Sequence, residues 1–467
     1  MRAFVFRTNG FLLAIGSAIL LAGCAQNAPY HTLPGEPDNC RASATGDECA
    51  RAYYQEHQGF DLAFAEYSDR GNAFSDRFID DVLSRIKRRA ENEGVVLVTF
   101  IHGWKHNAAE DDSNLIDFRR ALRAVHGILQ EDFGDSEIGR RRLIGLYVGW
   151  RGASLDLPIL VNTTFWDRKA VAEQVGQGGV SRLLLELDEV TRGVDKNVMV
   201  VIGHSFGGAI VVSALNDVLT ERTVQRTRGK GYAPTIGDGV LVLNPAIEAN
   251  QALSFVEAAI KADYRPEQYP LFVSLSSDAD QATHYAFPAG QILGLVLSWQ
   301  QEDLERSYYY DRLEPEQEKA LREEHLDTTT VGNFAPFLTH RLSALGEGDA
   351  TIFTVKSCDE KPQGCVPRGL TSLDGQPAIR NLPKGYPLYF YKTDATVMDG
   401  HNDIFNKRVR AFVVTLIDDV VRRGLARVRA RSDGRPMVAP PSLLGDPKAF
   451  ERRMQEVLRG MPDEPDR

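Results

Sequence analysis

NVMVVIGHSFGGAIV, residues 197–211, changes character in its middle. Up to His204 it is a continuous apolar, β-branched run, the composition of a strand buried on both faces. From Gly207 to Leu219 the pattern is that of a helix. Between the two, Gly203-His204-Ser205-Phe206-Gly207 is a G-x-S-x-G on a strand-to-helix turn. A serine at such a turn is held in a strained conformation with its Oγ exposed. The flanking glycines are needed because side chains there would collide with the neighbouring strand and helix. The motif alone is weak, and a glycine-rich packing turn would also satisfy it. Its place between a buried strand and a helix points to a nucleophile.

Working outward, the same alternation repeats. Phe78, Val82 and Ile86 recur every fourth residue in DRFIDDVLSRIKRR, which predicts an amphipathic helix, and Gly94 ends it before the buried strand VVLVTFI, 95–101. After the loop HGWKHN, Leu115, Ile116, Phe118, Leu122, Val125 and Leu129 outline a helix, followed by a strand in RLIGLYVGW, 142–150. A helix around Val180–Val190 precedes the strand at 197–204. Further strands are expected in GVLVLNP (239–245), LFVSLSS (271–277) and LYFYKT (388–393), and a long helix over about Ile404–Val428. Strand and helix in alternation predict the α/β class, a mostly parallel sheet covered on both faces.

The interval 281–387 breaks this rhythm with about a hundred residues that hold two helix-like stretches, QILGLVLSWQQEDLERSYYY and EPEQEKALREEHLD. It reads as an insertion over about 285–385, either a cap over the C-terminal edge of the sheet or a scaffold remote from the chemistry. The expected division is a signal segment at 1–23, a tether at 24–60, one α/β domain at 61–430, and a Pro-rich tail at 431–467 ending in the short helix pattern AFERRMQEVLRGM.

Lys and Arg number 54 against 64 Asp and Glu, a formal charge of −10, which argues against a nucleic-acid-binding surface. With 43% hydrophobic and 25% charged residues the chain is composed like an ordinary globular protein.

VMVVIGHSFGGAIV resembles the nucleophile elbow of the α/β-hydrolase superfamily, and VVLVTFIHGW resembles its oxyanion strand and loop; the resemblance covers roughly residues 78–425 with gaps at the insertion. It implies an α/β-hydrolase fold with the triad in the chain order Ser, Asp or Glu, His. His401, in VMDGHNDIF between the last strand and the final long helix, is the candidate base. His284, His325 and His340 also follow Ser205, but they sit just past the loop after LFVSLSS or inside the insertion and read as surface or structural histidines. The acid is expected from the loop after LFVSLSS, where Asp278 and Asp280 both stand. Asp280 is preferred because DQATHYAFP resembles the D-x-A-T run after this strand in related bacterial esterases; Asp278 would then brace the loop. Asp399 and Asp403 read as turn or helix-cap residues. The backbone N–H groups of Phe206 and Trp104 would form the oxyanion hole. His102 and His106 stand four apart in a loop without a third ligand, so no metal is expected, and no cofactor is implied. Leu157–Trp166 is apolar enough to line an acyl pocket, but packing on the core is the preferred reading.

At the N-terminus, Arg2 and Arg7 precede the apolar run Phe11–Leu21, the order of a secretion signal and too short for the roughly 20 residues of a spanning helix. Leu21-Ala22-Gly23-Cys24 resembles a bacterial lipobox, which implies cleavage before Cys24 and its acylation. Ala25 stands where an aspartate would have resembled the inner-membrane retention signal, so the outer membrane is expected. Of five cysteines, four then remain. Each pair lies in a short turn-rich loop, DNCRASATGDEC or SCDEKPQGC, and local bridges Cys40–Cys49 and Cys358–Cys365 are expected in an oxidising compartment. The functional expectation is a lipid-anchored envelope serine hydrolase acting on small-molecule or lipid carboxylic esters, with the membrane as its partner through the anchor. The alternatives are an acyltransferase, thioesterase or amidase with the same triad, or a non-catalytic envelope scaffold.

Overall fold

The apolar runs hydrogen-bond into one ten-stranded sheet. In chain order its strands are β1 (Tyr54–Glu56), β2 (Phe60–Glu66), β3 (Val95–Ile101), β4 (Arg142–Gly149), β5 (Val198–His204), β6 (Gly239–Leu243), β7 (Phe272–Ser277), β8 (His340–Leu345), β9 (Ile352–Ser357) and β10 (Leu388–Thr393). Across the sheet they run β1-β2-β4-β3-β5-β6-β7-β10-β8-β9. Only the outermost pairs, β1 with β2 and β8 with β9, are antiparallel. The computed structural model describes residues 27–34, 47–134, 140–152, 165–192, 197–227, 233–264, 268–288, 291, 303–305, 320–358, 382–383, 385–432 and 442–461.

Strand side chains alternate between faces, so a strand apolar at every position needs cover on both sides. In β3, Val95, Leu97 and Ile101 enter one core while Val96, Val98 and Phe100 enter the other. The first core is closed by helices α1 (Asp76–Asn92), α3 (Phe165–Val175), α4 (Ser181–Arg192), α5 (Phe206–Thr227) and α6 (Leu253–Ile260). The second is closed by α2 (Ser113–Phe133), α7 (Lys407–Ser432) and α8 (Pro447–Gly460). The chain is thus of the α/β class, with a mostly parallel sheet between two helical layers.

Three boundaries differ from the sequence reading. The expected tether at 24–60 ends early: Tyr53 and Tyr54 are buried, and β1 and the start of β2 fall inside it. Residues 27–34 also lie on the domain, where Tyr30 and His31 donate their N–H groups to the Glu66 carboxylate at 3.1 and 3.0 Å and the His31 ring stacks 3.4 Å from Phe64. The expected insertion contributes to the sheet. Its residues 340–345 and 352–357 are β8 and β9, and β8 runs parallel to β10 and extends the sheet. The helix pattern expected at the end of the tail is α8, and it belongs to the domain, with Phe450, Met454, Val457 and Leu458 buried in the second core. Asp446 caps that helix, accepting from Lys448 N and Ala449 N at 3.1 Å each. Asp446→Ala is expected to cost about 1 kcal/mol, read as a lower urea midpoint.

Cys49 and Cys358 are each in disulfide linkage. They flank β1 and β9, at opposite edges of a sheet about 40 Å wide, so they are not bonded to each other. Cys40 and Cys365, their expected mates, lie outside the described residues, as do the signal segment with Cys24 and most of Leu157–Trp166. Among the described residues no helix is long and apolar enough to cross a membrane.

Candidate active site

Ser205 sits between β5 and α5 with φ +55°, a left-handed conformation uncommon for any residue but glycine. Three backbone bonds hold it there: Ser205 N donates to Leu243 O at 3.0 Å, and Ser205 O accepts from Ala246 N and Ala209 N at 3.1 Å each. The elbow is therefore tied both to the end of β6 and to the first turn of α5. Its glycines are required by contact. A Cβ on Gly207 would lie 2.0 Å from the carbonyl oxygen of Ile101, and one on Gly203 would lie 2.6 Å from that of Gly207. Backbone cannot yield as a side-chain tip can. Gly207→Ala is expected to push α5 away from β3, seen as loss of soluble protein or a steep fall in thermal stability.

Ser205 Oγ lies 2.7 Å from His401 Nε2, and His401 Nδ1 lies 2.8 Å from Asp280 Oδ2. Ionised Asp280 only accepts, so His401 carries its proton on Nδ1, and Nε2 accepts from the serine hydroxyl. The carboxylate is fully buried, and each oxygen is used. Oδ1 accepts from Ala282 N at 2.9 Å and Thr283 N at 3.2 Å, and Oδ2 accepts from Thr283 Oγ1 at 2.6 Å besides the imidazole. Burial pushes the Asp280 pKa up, but the bonds from His401 and Thr283 outweigh it and hold the group down at about 2.

Asp278, two residues earlier, faces other partners. It pairs with Lys392 Nζ at 3.2 Å and accepts from Arg341 Nη2 at 2.8 Å. Lys392 Nζ also donates to His284 Nε2 at 2.9 Å and to Asn333 Oδ1. His340 stacks on Tyr389 and Tyr391, with ring centres 5.6 and 5.0 Å away, and His325 is buried in the short helix Glu323–Thr328. Asp403 accepts from Asp399 N at 2.8 Å and Asn406 Nδ2 at 2.7 Å, bracing the loop that carries His401. Of the histidines and acids named from the sequence, it is Ser205, His401 and Asp280 that meet in one hydrogen-bonded line.

The loop after β3 crosses the elbow. A Cβ on Gly103 would stand 2.8 Å from that of Ser205, and the next residue, Trp104, packs its ring 6.3 Å from that of Phe206, which opens α5. Trp104 and Phe206 thus flank the serine on two segments. His102 Nε2 accepts from Trp150 N at 3.1 Å, so its Nδ1–H donates to Gly103 O at 2.9 Å. His106 Nδ1 faces Asp112 at 3.1 Å, and Asn114 Nδ2 donates to its Nε2. Both imidazoles are engaged with these protein groups. Among the described residues no group of three or more His, Cys, Asp or Glu is disposed to hold a metal ion.

Residues not singled out from the sequence complete the surroundings. Thr283 backs the acid, and its only sequence signal was its place in DQAT. Asn244, at φ +43° after β6, and His204, inside the motif itself, both contact the His401 loop. Lys392 lay unremarked in the strand LYFYKT.

No protein-family model matches the chain, and no curated protein matches it. Among solved structures, phospholipase PlaB from Legionella pneumophila, in complex with thio-NAD, superposes with a TM-score of 0.23 at 13% identity, covering 56% of this chain and 48% of that one. The match thus spans about half the length of that structure. So loose a superposition carries no argument, and the functional reading stands on the geometry.

Proposed function

We propose that the protein is a serine hydrolase of carboxylic esters with an α/β-hydrolase fold, anchored to the outer membrane by acylated Cys24. The observation that carries the hydrolase reading is the line Ser205 Oγ, His401 Nε2, His401 Nδ1, Asp280 Oδ2, with spacings of 2.7 and 2.8 Å, built on a left-handed elbow. Ser205 attacks the ester carbonyl carbon as His401 takes its proton. The same imidazole then protonates the departing alcohol, leaving an acyl-enzyme. Water, deprotonated by His401, attacks the acyl carbon; the acyl carbon–Oγ bond breaks, the imidazolium returns its proton to Ser205 Oγ, and the carboxylic acid leaves. Asp280 keeps the tautomer and favours the transient imidazolium. The oxyanion of each tetrahedral intermediate is received by the N–H groups of Phe206 and Trp104, and a well-placed donor there is worth about 3 kcal/mol. The anchor is supported by the order of basic residues, apolar run and Leu21-Ala22-Gly23-Cys24.

The deciding experiment is labelling of the purified mature protein with a fluorophosphonate, with Ser205→Ala as control and turnover of a p-nitrophenyl ester measured in parallel. Labelling and turnover that both depend on Ser205 uphold the reading; a wild-type protein that neither labels nor turns over refutes it. The anchor has its own test. Intact-mass analysis of the N-terminus must find acyl groups on Cys24, and Cys24→Ser must lose them.

A further inference from the structure

We infer that His204 and Asn244 are positioning residues for His401, gripping the backbone of its loop from the ends of two neighbouring strands. The inference rests on the hydrolase reading of Ser205, His401 and Asp280.

His401 stands on the connection between β10 and α7, outside any strand ladder. Its two triad bonds act on the ring and leave the backbone beneath it unfixed, whereas reacting groups must be held to within about 0.5 Å. Side chains supply what the ladder does not. His204 Nε2, at the end of β5, lies 2.9 Å from the carbonyl oxygen of His401. Asn244 Nδ2, just past β6, donates to the same oxygen at 3.0 Å and to Gly400 O at 3.3 Å. From β7, Ser277 Oγ donates to Met398 O at 2.5 Å, and Ser277 N donates to Asn244 Oδ1 at 3.0 Å, which orients the amide. Three adjacent strand ends therefore grip one loop, and the His401 carbonyl receives two donors.

A packing role does not account for His204. A carbonyl only accepts, so the imidazole must carry its proton on Nε2, which leaves Nδ1 buried without a partner. The residue is 1% exposed and Asn244 0%, and burial with nearby His401 lowers the His204 pKa well below the usual value, keeping the ring neutral. A core position of that shape would be better filled by an apolar side chain, because an orphaned buried nitrogen is costly. Asn244 adds a left-handed backbone at φ +43°, which Asn and Asp tolerate and bulkier residues do not. Both costs fall where two donors converge on the histidine's backbone.

The test compares His204→Leu, which removes the donor, with His204→Gln, which keeps an amide N–H at similar reach, and adds Asn244→Asp, which keeps shape and backbone tolerance but turns an oxygen toward the carbonyl. In the full mature protein, His204→Leu and Asn244→Asp are expected to lower kcat about 10- to 100-fold and slow fluorophosphonate labelling in step, with KM changed less than about twofold. His204→Gln is expected to recover most of the loss. Equal kcat for His204→Leu and His204→Gln, or wild-type kcat in Asn244→Asp, overturns the inference. Where His204→Leu fails to fold, Asn244→Asp and Ser277→Ala decide: reduced kcat at unchanged KM in both upholds the clamp, and wild-type kcat in either overturns it. Wild-type protein inert to the probe would bring down the hydrolase reading and the inference together. Normal wild-type labelling with unaffected clamp variants brings down the inference alone.

Discussion

Ser205→Ala and His401→Ala are each expected to lower kcat for a short p-nitrophenyl ester by about a millionfold, and Asp280→Asn by about ten-thousandfold, with KM little changed. On the proposed hydrolase reading the three act as one unit. Without the serine there is no attacking oxygen, and without the imidazole the hydroxyl keeps its proton. With asparagine at 280 the 2.8 Å contact to Nδ1 no longer selects the useful tautomer. Double variants are expected to lose little more than the worse single, which separates one catalytic unit from three independent contributors. The pH profile gives a second check. The folded pKa of Asp280, about 2, is depressed below its unfolded value, so its contribution to stability is present above the ordinary carboxylate range and lost as pH falls through about 2. Full activity in Ser205→Ala would refute the assignment.

The central strands and their helices were legible because strands buried on both faces carry unbroken apolar runs, as VVLVTFI and VMVVIGH do. The outer strands were not. HRLSAL and IFTVKS alternate buried with partly or fully exposed positions at the sheet's margin, and Leu345 and Ile352 are exposed, so no run marks them. Tyr54–Glu56 is too short to show a period at all. In the candidate site the elbow was legible because its chemistry is local. Position in the chain order pointed to His401, but the geometry that separates Asp280 from Asp278 is contributed by Lys392 and Arg341, 114 and 63 positions away from Asp278 by residue number, and sequence spacing carries no trace of that. His204 was hidden for another reason: inside G-x-S-x-G it occupies the position the motif leaves free.

Asp278→Asn is expected to destabilise the fold by about 3–5 kcal/mol, because it strands a buried cation. Lys392 is 1% exposed, and its ammonium has Asp278 as its carboxylate partner at 3.2 Å; His284 and Asn333 supply acceptors without charge. Burial already holds its pKa down at about 8, against the pull of Asp278. A folded pKa below the unfolded one means that this group's contribution to stability is complete only above the unfolded value and is lost as pH falls toward about 8. Lys392→Met should therefore flatten the rise of stability with pH over that range. Removing one partner costs more than removing both, so Asp278→Asn with Lys392→Met is expected to be more stable than Asp278→Asn alone, measured by urea unfolding followed through tryptophan fluorescence. Turnover per folded molecule should fall far less than in Asp280→Asn. What coupling there is runs from Lys392 through Asn333 to Thr283, whose hydroxyl accepts from Asn333 Nδ2 at 3.1 Å and donates to Asp280. An Asp278→Asn protein with the urea midpoint of the wild type would show that the ammonium is satisfied without the carboxylate, and one that is stable but dead would move the acid by two residues.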